Sequence, residues 1–110
     1  MPILDKINDK EKSIQKTIDI DEDLYQRLNK VAKTKFNQTT SKLINACIFE
    51  LAETENMQLY KNEGGIQLKH TVMFSKEALE TLEKLKKKYN IPTCKLIGIA
   101  INNVIEEIEK

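Results

Sequence analysis

One pattern, written twice, constrains this chain more than anything else in it. Ile66, Leu68, His70, Val72 and Phe74 alternate with Gln67, Lys69, Thr71 and Met73, a period of two that predicts a strand with one buried face. At Ser75 the period changes. Ala78, Leu79, Leu82, Leu85 and Tyr89 recur at helical spacing with charges between them. Asn90-Ile91-Pro92-Thr93 interrupts that helix, and Leu96, Ile97, Ala100, Ile101, Val104, Ile105 and Ile108 mark a second, more apolar one. Upstream, Ile14, Ile18 and Ile20 alternate with Gln15, Thr17 and Asp19, and Leu24, Leu28, Val31 and Ala32 follow at helical spacing. Asn37-Gln38-Thr39-Thr40 breaks that run, and Leu43, Ile44, Cys47, Ile48 and Leu51 carry the next helix.

Superimposing the copies puts Lys16-Thr17-Ile18 on His70-Thr71-Val72 and Ser41-Lys42-Leu43-Ile44 on Cys94-Lys95-Leu96-Ile97. They fit with one extra residue expected in the first turn, between Ala32 and Asn37. An internal repeat decides the fold before local detail does. A strand and two helices in about forty-five residues bury too little surface to stand alone, so each copy needs a partner. The expected fold class is mainly α with a short two-stranded antiparallel β-ribbon. The expected organisation is a flexible N-terminal arm at 1–12, a first copy at 13–59, a linker at 60–65 and a second copy at 66–110. The inner helix faces predict a core that includes Leu28, Val31, Leu43, Ile44, Leu82, Leu96, Ile97 and Ile101.

The helix ends are legible too. Asp21-Glu22-Asp23 suits a helix N-terminus, where carboxylates meet free N–H groups and the positive dipole end. Thr39, Thr40 and Ser41 offer a cap for the next helix, which is expected to reach about Met57, and Ser75 caps the third. Asn37 and Asn90 suit the left-handed position after a helix.

Composition excludes more than it names. The formal net charge is +1, so a bulk-charge argument neither supports nor excludes nucleic acid. No apolar run reaches membrane-spanning length, and Met1-Pro2-Ile3-Leu4-Asp5 lacks the basic start and apolar core of a signal peptide. A cytoplasmic protein with no membrane partner is expected. Cys47 and Cys94 fall opposite Ala100 and Ser41 in the repeat, small-residue positions that suit reduced structural thiols. His70 is the one histidine, so no metal-ligand cluster is expected, and by position it reads as a structural residue facing inward or to the ribbon end. Without a nucleophile beside a base, or a Gly-rich phosphate loop, no enzyme, cofactor or small-molecule substrate is expected. The Lys-, Ile- and Asn-rich composition points to an AT-rich genome, bacterial, plasmid or phage.

Strand, helix, Asn, a short turn, hydroxyl residues and then a Leu-Ile pair occur in Asn37-Gln38-Thr39-Thr40-Ser41-Lys42-Leu43-Ile44 and again in Asn90-Ile91-Pro92-Thr93-Cys94-Lys95-Leu96-Ile97. This resembles the ribbon-helix-helix family, whose β-ribbons read DNA. The resemblance spans about residues 13–59 and 66–110. It departs from the family pattern where Asn replaces the usual Gly, and where Pro92 and Cys94 replace hydroxyl residues. Most members carry one copy and dimerise. Here the resemblance implies a tandem ribbon-helix-helix, an intrachain pseudo-dimer similar to accessory DNA-binding proteins of plasmid transfer systems.

The resemblance also implies site residues. The outward base-reading set would be Gln15, Thr17 and Asp19 on one strand and Lys69, Thr71 and Met73 on the other. These would face a major groove wide enough for a two-stranded ribbon. The phosphate-binding set would be Thr39, Thr40, Ser41 and Lys42 in the first copy and Thr93, Cys94 and Lys95 in the second, each at a helix N-terminus. Family-like register sets Thr17 opposite Thr71 and Asp19 opposite Lys69. The expected partner is double-stranded DNA, with further copies of the chain bound side by side and a relaxase or other plasmid protein as further candidates. Transcriptional repression, accessory action at an origin of transfer and plasmid partition stay open as roles. A protein-interaction module, antitoxin-like or adaptor, is the alternative; no tail beyond the second copy is left to bind a toxin, which argues against an antitoxin.

Overall fold

The computed structural model describes residues 13–58 and 66–109. The expected arm at 1–12 and linker at 60–65 lie outside them. The order is β1 (Ser13–Asp21), α1 (Glu22–Val31) running into a π-helical turn (Ala32–Phe36), α2 (Thr40–Thr54), β2 (Gln67–Ser75), α3 (Lys76–Tyr89) and α4 (Thr93–Glu109). The described residues are mainly helical, with a two-stranded antiparallel ribbon and four helices among them. Among the described residues no helix is long and apolar enough to cross a membrane.

β1 and β2 pair within the chain, with Thr17 opposite Thr71, Asp19 opposite Lys69 and Gln15 opposite Met73. That is the register expected from the family-like pairing of the two strands. Alternation then sorts the side chains. Ile20, Val72 and Phe74 are buried below the ribbon, while Gln15, Thr17, Asp19, Lys69, Thr71 and Met73 are exposed above it. A two-stranded ribbon is marginal by itself. This one is seated on helices whose Leu28, Leu43, Ile44, Leu82, Leu96 and Ile101 are all inaccessible or nearly so. Full burial of such a side chain contributes roughly 1.5–3 kcal/mol relative to exposure.

α1, α2 and α3 each start where a side chain can accept free amides. Asp21, itself only 4% exposed, accepts from the N–H groups of Asp23 (3.0 Å) and Leu24 (3.3 Å). Thr39 accepts from Lys42 N–H at 3.2 Å and Ser75 from Ala78 N–H at 3.1 Å. Asn37 and Asn90 end the first helix of each unit in the left-handed region, with φ of 51° and 55°.

Three expectations need correction. The extra residue of the first unit does lie between Ala32 and Asn37, but in the helix rather than in the turn: Asn37-Gln38-Thr39 and Asn90-Ile91-Pro92 are the same length. It is absorbed inside the helix as the π-helical turn, where the Asn37 amide reaches back to the Ala32 carbonyl. Where that turn opens, Ala32 takes the inner position and Val31 is only half-buried, whereas its counterpart Leu85 is buried. Finally, α2 stops at Thr54 rather than near Met57. Glu55 adopts the left-handed conformation, φ 52°, with its amide on the Leu51 carbonyl and its carboxylate held by Lys88 and Tyr89 at the end of α3.

Candidate nucleic-acid interface

The ribbon presents a narrow, uncovered face two strands wide. At its centre the Thr17 and Thr71 hydroxyls lie 3.3 Å apart in a hydrogen bond, so one of the two still has a free proton to donate outward. Asp19 and Lys69 approach to 4.0 Å, with half or more of each side chain exposed. So long and open a pair contributes little and leaves the Lys69 ammonium able to turn to another acceptor. Gln15 supplies an amide with a donor and an acceptor at one end of the ribbon, and Met73 across from it supplies an apolar, polarisable surface, 39% exposed. All six predicted outward residues therefore share one face.

The predicted phosphate-binding residues fall at the two second-helix starts, which are built differently. At α2 the hydroxyls are engaged inside the fold. Thr39 caps the helix, Thr40 donates to Asn29 Oδ1 at 2.5 Å, and Ser41 Oγ accepts from the Met73 amide at 3.1 Å. Lys42 is half-buried. At α4, Pro92 precedes the helix and has no side-chain oxygen to cap it; its carbonyl accepts from Leu96 N–H at 3.0 Å. Thr93 is half-buried, and Cys94 and Lys95 are exposed. Among the described residues the first turn of α4 thus lacks the side-chain acceptor that Thr39 gives the first turn of α2.

Two groups under the ribbon were not singled out by sequence as a site. Asn45 sits one turn into α2 and clasps the edge of β2. Its amide nitrogen donates to the Met73 carbonyl (2.8 Å) and the Ser41 carbonyl (2.7 Å), and its oxygen accepts from the Ser75 amide (2.9 Å). The signal was available: Asn45 is polar within an apolar helix face, and its counterpart is Gly98. His70, read as structural, is tightly held. Its ring stacks on Tyr25 with centroids 3.6 Å apart, and Nε2 lies 2.7 Å from a Glu22 oxygen. Hydrogen bonds from Gln26 and then from His70 hold the Glu22 carboxyl below its ordinary range.

Of the two thiols, Cys47 is buried in the core and burial pushes its pKa up, which makes it inert; Cys94 is exposed. Among the described residues no three His, Cys, Asp or Glu side chains gather as a metal site. No family model, curated protein or solved structure matches the chain.

Proposed function

We propose that this chain is a sequence-specific double-stranded DNA-binding protein of ribbon-helix-helix type, with both halves of the usual dimer in one polypeptide. The observation that carries the reading is the ribbon itself. Six side chains able to read base edges stand on one solvent-facing surface, with Thr17 and Thr71 at its centre and the helices all on the other side. In the reading, that face enters the major groove, where each base pair displays a distinct donor and acceptor pattern. Gln15 pairs with adenine, Lys69 donates to guanine and Met73 packs on a thymine methyl. The helix starts at Thr39–Lys42 and Thr93–Lys95 take the flanking phosphates, which fix register without reading sequence.

Because the two strands differ, the subsite read by one chain is non-palindromic, and targets would be direct or irregular repeats occupied by chains side by side. Action as a repressor or as a plasmid-transfer or partition accessory protein on cytoplasmic DNA belongs to the same proposal. The test is a selection from random duplexes followed by binding across a salt series. DNA binding predicts a recovered consensus and a log–log salt slope of roughly −0.9 per phosphate neutralised. No binding to any duplex even at low salt would defeat the reading in favour of a protein-interaction module.

A further inference from the structure

The two units pack differently under the ribbon, and the difference leaves a hollow. Between β1, α3 and α4 lies a cavity of about 170 Å³ with a floor of Ile18, Phe74, Leu79, Leu82 and Ile97. Its rim carries Lys16, Glu83 and Thr93. The repeat supplies the control. At the corresponding place in the other half, Tyr25 stands for Leu79 and His70 for Lys16, and their stacked rings fill the space. Asn29 and Thr40 stand for Glu83 and Thr93 and close the rim with a 2.5 Å hydrogen bond. The open side has a smaller side chain at the floor and two opposite charges at the rim, and among the described residues neither Lys16 nor Glu83 has an ion-pair or hydrogen-bond partner.

We propose that this hollow binds a small α-amino acid with an apolar side chain. The floor takes the side chain, Lys16 and the uncapped start of α4 at Thr93 take the carboxylate, and Glu83 takes the ammonium group. The size is appropriate, since an engineered apolar cavity of about 150 Å³ accepts benzene. So is the charge: a ligand with one group of each sign satisfies both rim residues, whereas a simple acid would meet Glu83 and a simple amine would meet Lys16. Lys16 and Ile18 flank Thr17, and Thr93 belongs to the candidate phosphate clamp, so occupancy would alter DNA affinity. That coupling rests on the DNA reading; the binding itself does not.

The experiment is a methyl NMR titration of the full free chain with L-leucine and with L-phenylalanine, beside isovalerate and isopentylamine, which each lack one charged group. Saturable shifts are expected at Ile18, Leu79, Leu82 and Ile97, about tenfold weaker or more for the two controls. Leu79→Tyr, which copies the filled side, should abolish them. Should that variant fail to fold, Lys16→Ala and Glu83→Gln, both at exposed positions, should each weaken binding about tenfold with methyl dispersion intact. The proposal is overturned by no saturable shift up to about 10 mM, by controls that bind as well as the amino acids, or by binding that survives these substitutions. Contacts of Ile3, Leu4 or Ile7 with Leu79 in the free chain would also overturn it, by showing the hollow filled from within. Because DNA is absent, failure here leaves the DNA reading standing.

Discussion

The two sides of the ribbon start from the same pattern and end in different states. On one side α2 is sewn to β2 through Ser41 and Asn45, Thr40 is tied to Asn29, and Tyr25 and His70 fill the space beneath. On the other, Cys94 and Gly98 stand where Ser41 and Asn45 would be, Thr93 has no such tie among the described residues, and Leu79 and Lys16 leave a hollow. The apolar positions that hold the units together are nearly interchangeable; the polar positions around them are not. A repeat can therefore keep its fold through its core while its margins diverge, one side closed by side-chain ties, the other left open.

The comparison predicts symmetry in the core first. Leu43 and Leu96 correspond, and both are fully buried. Truncating either to Ala should destabilise the protein by about 2–5 kcal/mol, through lost transfer energy and the cavity left behind. Urea melts of the two variants check this, and a large inequality would show that the units do not share one core evenly.

At the margin the prediction is asymmetry. Asn45→Ala removes three hydrogen bonds and strips the partners of the Met73 and Ser75 backbone, at a cost of about 1–3 kcal/mol. Amide exchange at Ser75 should quicken with it, and exchange along β1 should respond less. Uniform quickening along both strands would instead mean that the ribbon opens as one unit.

Most of this architecture was open to sequence reasoning, for a physical reason. Period two and period 3.6 are imposed by which face meets the core, so β1, β2 and the four helices are visible in the spacing of Ile, Leu and Val. The Thr17–Thr71 register comes from the family resemblance rather than from spacing, and the strands pair in that register. What spacing does not carry is phase within a helix. Ala32 and Val31 are both apolar, and both fall on the inner side of α1 by spacing, yet only Ala32 is buried. Nor does it carry which hydroxyls are already committed: Ser41 and Thr40 read as free binding groups until Met73 and Asn29 are seen beside them. The left-handed Glu55 has no local signature such as Gly or Asn and depends on Lys88 and Tyr89, more than thirty residues away.

If DNA is the partner, the unequal helix starts become measurable. Thr17→Ala or Lys69→Ala should lower discrimination between cognate and random duplex by about 1–3 kcal/mol. Lys95→Ala should weaken binding to all sequences and reduce the salt slope by about 1, with Lys42→Ala doing less because that side chain is half-buried. Cognate DNA should also protect exposed Cys94 from alkylation, while Cys47 stays unreactive with or without it. Equal effects of the two lysines would remove the distinction between the clamps.

The smallest effect concerns the ion pairs at the far end of the helices, where the two sides become alike again. Arg27 of α1 meets Glu109 of α4 at 2.5 Å, and Lys88 and Tyr89 of α3 meet Glu55 at the end of α2. Each pairing joins the first helix of one unit to the second helix of the other. The hydrogen bond from Arg27 holds the Glu109 carboxyl below its ordinary value of 4.5, and hydrogen bonds from Lys88 and then Tyr89 do the same for Glu55. A carboxylate whose pKa is depressed by folding stabilises the protein above its unfolded value, and that contribution disappears as pH falls through the depressed one. Thermal stability should therefore be flat above about pH 5 as far as these two groups are concerned, and should decline below 4.5. Glu55→Gln and Glu109→Gln should each make the acid decline shallower while leaving the neutral-pH melting temperature nearly unchanged, since exposed pairs of this kind contribute little. Melting curves across pH decide it. A decline that keeps its full slope in both variants would place the acid sensitivity elsewhere, with Glu22 beside His70 on the closed side as the next carboxylate to replace.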